Sequence, residues 1–173
     1  MVFIDEFRVE LSENKSYARS HKKRVIEKVE KARRRVSWNV VTFLHSKGVN
    51  QGLAVEDSFN RYVMCEYIKE LIDKEFKDLG IKYVIMDNLS VHKTKEVKEI
   101  FEQAGIEIIH CPPYSPECNA IEEAISKIKN EIRSNTEKSK ENILKIIADA
   151  ISHVTEKDAQ GYIKNWLKNT MQS

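Results

Sequence analysis

The chain has 173 residues, of which 41% are hydrophobic and 32% charged, with five glycines and three prolines, a composition that suits one compact domain and excludes a disordered or fibrous chain. No apolar run approaches the roughly 20 residues of a membrane helix, Met1-Val2-Phe3-Ile4-Asp5 shows no signal-peptide pattern, and three cysteines, an odd number, favour free thiols in a reducing cytoplasmic setting. Net charge is only +2, so overall charge says little about nucleic acid and its distribution says more.

Val2, Ile4, Phe7 and Val9 predict a first strand, with Asp5 in its midst. Arg19 to Arg35 is a basic block: nine Lys or Arg and His21 in seventeen residues, opposed only by Glu27 and Glu30. Within it Lys22, Lys23, Arg24, Arg33, Arg34 and Arg35 are candidate DNA contacts, since guanidinium groups match phosphate geometry. The competing reading is a solvated charged loop or helix face. Val36 to Leu44 is strand-like, Lys47-Gly48-Val49-Asn50 supplies a turn, and Gln51 to Glu56 reads as a third strand, an antiparallel meander.

The character then changes. Asp57 or Ser58 can cap a helix running to about Phe76, in which Phe59, Val63, Tyr67, Ile68, Leu71 and Ile72 fall at helical spacing. Ile81 to Met86 is an apolar strand that stops at Asp87, Thr94 to Gln103 a helix closed by Ala104-Gly105, and Ile106 to Ile109 another strand. Such a βαβ unit implies parallel pairing and a right-handed crossover. Pro112, Pro113 and Pro116 make Cys111 to Cys118 an extended loop. Beyond Asn119 the pattern is helical: one stripe of Ile121, Ile125, Ile128 and Ile132, a second of Ile143, Ile147, Ala150, Ile151 and Val154, and a last short helix around Tyr162, Ile163, Trp166 and Leu167. This order fits an α/β, ribonuclease H-like fold, a five-stranded mixed sheet flanked by helices, in a single domain over residues 1–173.

Asp5 inside an apolar strand and Asp87 at the end of another occupy positions where a charge is costly without a partner. The end of a central strand is also where open α/β sheets bind ligands. A turn or cap role for Asp87-Asn88 is the plain alternative. Glu122, opening the helix after the proline loop, can point back to the strand ends. Three converging carboxylates suit two Mg²⁺ or Mn²⁺ ions, hard cations that activate a water and stabilise the leaving oxygen of a phosphodiester. Without cations the acids repel, and Glu122 is expected to swing away.

Three segments carry a resemblance: Phe3-Ile4-Asp5-Glu6, Met86-Asp87-Asn88-Leu89-Ser90-Val91-His92-Lys93, and Pro112-Pro113-Tyr114-Ser115-Pro116-Glu117-Cys118-Asn119-Ala120-Ile121-Glu122, with thirty-four residues between Asp87 and Glu122. Together they resemble the DDE-type transposase catalytic domains of the mariner-like and related prokaryotic insertion-sequence superfamily. Ala120 stands where that motif usually has Pro, and Ile125 where it has an aromatic; neither supplies a ligand. The resemblance implies a metal-dependent DNA transposase, an endonuclease and strand transferase that cuts transposon ends with an activated water and joins the 3′ hydroxyl to target DNA. Asp5, Asp87 and Glu122 are then the catalytic metal ligands. DNA is the implied partner, at transposon ends and at the target. A second copy of the chain and a separate DNA-binding module are further candidate partners, because the resemblance implies a helix-turn-helix region ahead of the first Asp, and none is expected within the four residues before Asp5. No membrane association is expected, and the setting is cytoplasmic, on the DNA of a prokaryotic host. A non-catalytic DNA- or protein-binding remnant and another ribonuclease H-like nuclease are the alternatives.

Glu6, on the opposite strand face from Asp5, is expected to be structural or to stand behind the ligands. Glu117 is the runner-up third ligand, and Glu123 is expected to face solvent. His92 is either a DNA contact or a satisfied packing histidine. Lys127 and Lys129, on the helix that carries Glu122, are candidate phosphate contacts or simple solvating charges. His110, Cys111 and Cys118 match no strong zinc spacing.

Overall fold

The computed structural model describes residues 1–11, 18–19, 24–25, 36–49, 51–56, 59–113 and 115–170. In chain order these form β1 (Val2–Leu11), β2 (Ala18–Arg19), β3 (Arg24–Val25), β4 (Val36–Leu44), β5 (Gly52–Glu56), α1 (Arg61–Leu71), β6 (Tyr83–Met86), α2 (Lys95–Gln103), β7 (Glu107–His110), α3 (Ile121–Ser134), α4 (Ile143–Ser152) and α5 (Glu156–Thr170). Five strands make one sheet in the order β5-β4-β1-β6-β7. β1 pairs antiparallel with β4 and β4 with β5, whereas β6 runs parallel to both β1 and β7. The sheet is mixed, with helices on both faces: the ribonuclease H-like arrangement.

Side-chain alternation along β1 explains the layering. Phe3, Phe7, Val9 and Leu11 bury against α3, α4 and α5, while Val2 and Ile4 join α1 and α2 on the other face. A central strand covered on both sides needs apolar residues at successive positions, and Val2 to Ile4 supply them. The α3 stripe of Ile121, Ile125, Ile128 and Ile132 is fully or nearly fully buried, as is the α4 set from Ile143 to Val154. Phe3 meets Trp166 edge to face at 5.0 Å, a pairing that adds about 0.5–1.5 kcal/mol beyond its buried area. Phe43 and Phe76 pack the same way across the opposite face at 5.3 Å.

Several local expectations are refined. The cap of α1 is Asn60, whose Oδ1 accepts from the backbone N–H groups of Tyr62 and Val63 at 2.9 and 3.0 Å; Asp57 and Ser58 lie outside the described residues. α1 continues to Phe76 as a π-helical stretch, Ile72–Phe76. The final helix is fifteen residues long rather than short. At the β4–β5 turn Gly48 has φ +124°, and a Cβ there would lie 2.8 Å from the carbonyl of Val154, so the turn and the α4–α5 joint can touch only through glycine. No helix among the described residues is long and apolar enough to cross a membrane.

Candidate metal centre at the strand ends

The parallel register of β1 and β6 pairs Ile4 with Met86. Asp5 and Asp87, one residue further along each strand, therefore stand side by side where β6 ends. Asp5 is buried and points to the α3 face. Its Oδ1 accepts from the N–H of Glu6 at 2.7 Å, and its Oδ2 from Nδ2 of Asn119 at 3.2 Å. Burial pushes its carboxyl up to about 7; the Glu6 N–H pulls it back, and the Glu122, Asp87 and Glu6 carboxylates push it further up. Asn119, just ahead of α3, leaves its own Oδ1 buried without a partner.

Asp87 is held differently. Its Oδ1 accepts from the N–H of Leu89 at 3.0 Å and lies 2.7 Å from Nδ1 of His92. The imidazole N–H is not aimed along that contact, so it is a close ion pair rather than a straight hydrogen bond. The other ring nitrogen, Nε2, is 3.0 Å from Oε1 of Glu6. Burial works against charge on Asp87, but His92 and the Leu89 N–H outweigh it and hold the carboxyl below its ordinary value. Burial likewise opposes charge on His92, and the two carboxylates outweigh it, lifting the ring to about 9. The strand ends are tied together behind these acids: Nδ2 of Asn88 donates to the Cys111 carbonyl, and Nδ1 of His110 is 3.1 Å from the Asp87 carbonyl.

Glu122 sits in the first turn of α3 and is exposed. It is near enough to raise Asp5 electrostatically, yet among the described residues no three His, Cys, Asp or Glu side chains close into a metal-binding group. The fold thus brings Asp5 and Asp87 together and leaves Glu122 open. The donor set fits a hard divalent cation. It holds a carboxylate raised by burial and then by neighbouring negative charge, a second carboxylate beside it, and an orphaned amide oxygen next to the first.

Other candidates fall elsewhere. His92 is fully buried between Glu6 and Asp87, a packed position consistent with the second of its two readings. Lys127 donates to Asp158 at 2.7 Å and to the His153 carbonyl at 2.8 Å, tying α3 to the start of α5. Lys129 Nζ lies 5.8 Å from the Phe7 ring centre. Glu123 accepts from Asn165 on α5, and Glu117 is exposed in the proline loop. In the basic block, Arg24 lies in the short β2–β3 ladder, antiparallel to Arg19, a pairing that neither a loop nor a helix face foresaw. Lys22, Lys23, Arg33, Arg34 and Arg35 lie outside the described residues. Sequence reasoning missed the contact between Asn119 and Asp5. Its only signal was an amide just ahead of the helix that carries Glu122.

Residues 1–144 match the family model of the DDE superfamily endonuclease. Solved structures agree in fold. The Mos1 mariner paired end complex with Mn superposes with a TM-score of 0.75 at 13% identity, covering 97% of this chain and 52% of that one. The Mos1 strand transfer complex gives 0.77 at 14% identity, covering 97% and 51%. The Mos1 transposase catalytic domain with Raltegravir and Mg gives 0.72 at 13% identity, covering 96% and 80%. The chain thus spans about half the length of the Mos1 chains in the paired end and strand transfer complexes. No curated protein matches the sequence significantly.

Proposed function

The chain belongs to the DDE superfamily endonuclease family, and from that premise we propose that it is the catalytic domain of a DNA transposase whose Asp5, Asp87 and Glu122 hold two Mg²⁺ or Mn²⁺ ions. The observation that carries this reading is the Asp5–Asp87 pair: two carboxylates side by side at a strand end, one of them buried and raised to about 7 by desolvation and by its neighbours' negative charge. Two carboxylates crowded together at the strand ends, one of them with no cationic partner among the described residues, mark a functional site. The chemistry that divalent cations supply in such a site is activation of an attacking hydroxyl and stabilisation of the leaving oxygen of a phosphodiester.

The chain's own residues supply position. Asp5 is fixed by the Glu6 N–H and Asn119, and Asp87 by Leu89 and His92. Glu122 completes the set by turning in from the first turn of α3. The basic block from Arg19 to Arg35 gives phosphate contacts that do not depend on base sequence. The Mos1 neighbours, solved with Mn or Mg and as paired end and strand transfer complexes, support extending both metal use and DNA ends to this chain. A second copy and a separate DNA-binding module are further partners in this reading.

The open position of Glu122 is what a non-catalytic, DNA-binding reading would rest on. One experiment separates the two. With Mn²⁺, the protein should nick supercoiled plasmid with little sequence preference, and Asp87→Asn should reduce nicking at least 100-fold, because the amide lacks the charge that binds the cation. A folded wild type that never nicks leaves the non-catalytic reading standing. Nicking retained by Asp87→Asn removes Asp87 from the site.

A further inference from the structure

Between Glu6 and Asp87 lies a histidine with no exposed surface, and neither the family assignment nor the three-acid reading gives it a task. His92 sits in the short turn between Asp87 and α2, while Glu6 is on β1, 86 positions away in sequence. One ring nitrogen faces each carboxylate, at 3.0 Å to Glu6 and 2.7 Å to Asp87. Turning the ring over would put C–H groups against both oxygens, so two acceptors fix its orientation. The contact to Asp87 falls on Oδ1, the same oxygen that takes the Leu89 N–H. The Leu89 N–H bond and the His92 ion pair both fall on Oδ1 and hold that oxygen, leaving Oδ2 as the oxygen they do not use.

We propose that Glu6 and His92 are positioning residues for Asp87: a carboxylate–imidazole strut that anchors Oδ1 and presents Oδ2 to a divalent cation. This inference rests on the reading of Asp87 as a metal ligand. The strand alternation accounts for the pair of adjacent acids in Asp5-Glu6. Asp5 points to the α3 face as a ligand, and Glu6 points to the α2 face to brace the second ligand through His92. Groups behind a metal ligand that orient it commonly change affinity by about 10–100-fold when removed.

The ring's two nitrogens can be replaced one at a time. In His92→Asn the side-chain amide falls near the place of Nδ1 and keeps an N–H group beside Asp87. In His92→Gln it falls near the place of Nε2 and reaches Glu6 instead. Both variants remove the ring, so a merely structural role would affect them alike. Mn²⁺ affinity is read directly from the electron paramagnetic resonance signal of free Mn²⁺ in titrations without DNA, beside a melting curve for each protein. His92→Gln should bind Mn²⁺ about 10–100-fold more weakly than wild type, with His92→Asn clearly tighter than His92→Gln. Equal affinities for the two variants, whether high or low, overturn the strut. If the His92 variants do not melt cooperatively, Glu6→Gln and Glu6→Ala carry the same comparison. Gln keeps an acceptor for Nε2 and should bind Mn²⁺ more tightly than Ala; equality again overturns the proposal. Asp87→Asn in the same titration tests the premise separately. Unchanged Mn²⁺ affinity there overturns the ligand reading, and the strut with it, whereas its loss beside unchanged Glu6 and His92 variants overturns the strut alone.

Discussion

Asp5 and Asp158 both lie on the α3 side of the sheet, and their surroundings push them in opposite directions. Asp158 accepts from Lys127 and from both the N–H and the hydroxyl of Thr155, at 2.7–2.9 Å, and these contacts pull its carboxyl down to about 2. Asp5 has one backbone N–H and one neutral amide, and among the described residues no cationic side chain pairs with it. Burial and three nearby carboxylates lift it to about 7. A single helix serves both: α3 brings Glu122 toward Asp5 and, less than two turns later, Lys127 to Asp158. The same scaffold can therefore satisfy a carboxylate fully, and at the strand ends it does not. An acid left uncompensated beside others marks a place where the missing charge comes from outside the chain.

The largest test of this contrast is Asp5→Asn. The substitution removes a buried charge while Oδ1 still accepts from Glu6, and Asn119 can rotate its amide to offer the Oδ1 that now lacks a partner. Without divalent cations the variant should melt above wild type, by roughly 2–8 °C if the relief is about 1–2 kcal/mol in a chain of this size. Saturating Mn²⁺ should reverse the order, since binding at about 100 times Kd stabilises wild type by about 2.7 kcal/mol and the variant hardly at all. A variant that melts below wild type in metal-free buffer breaks the comparison, because Asp5 would then be satisfied as it stands.

From sequence the acids look alike, and removing any of them should relieve repulsion. The structure separates them: Asp87 has His92 as a counter-charge, so Asp87→Asn also leaves a buried cationic ring with one partner fewer. That difference was not readable, because Glu6 and His92 meet only through the β1–β6 register, a long-range pairing. What was readable is what repeats locally. The period-2 run around Asp5 and the isoleucine stripes of α3 and α4 are each written within a dozen residues, and the βαβ order from Ile81 to Ile109 is a succession of such short patterns. Asn60 rather than Asp57 or Ser58 capping α1 shows where local reading stops. All three types cap well, and the choice depends on where Met64, Tyr67, Ile68 and Leu71 must start to bury. Likewise nothing local distinguishes Lys127 from a surface lysine. Its partner Asp158 lies 31 residues away.

Lys127 sharpens the comparison from the satisfied side. Replacing it with Met keeps most of the stem but leaves Asp158 and the His153 carbonyl without their cation. The pair is only partly buried, so the cost is modest: about 1 kcal/mol, or roughly 2–4 °C in Tm. The salt dependence of DNA binding should not change. If Tm holds and the salt slope instead falls by about one unit, Lys127 belongs with the phosphate contacts, and the Asp158 cluster is not the settled ion pair described here.

Asp158→Asn is the smallest test and concerns pH. The folded Asp158 carboxyl is depressed to about 2 by Lys127 first and by Thr155 next, against about 3.9 for an unperturbed aspartate. Its folded value lies below its unfolded one, so its stabilisation is complete above about pH 4 and is lost as pH falls through about 2. The group is near the surface, and screening holds the contribution below about 1 kcal/mol. The melting difference between wild type and Asp158→Asn should therefore be a few degrees at most, constant from pH 8 to 5, and should shrink steadily between pH 4 and 2. Paired melting curves across that range, without divalent cations, read it directly. If the gap stays the same size at pH 2.5 as at pH 7, the contribution comes from the cap geometry at Thr155 rather than from charge. The two aspartates would then differ in kind of bond and not in whether a counter-charge is present.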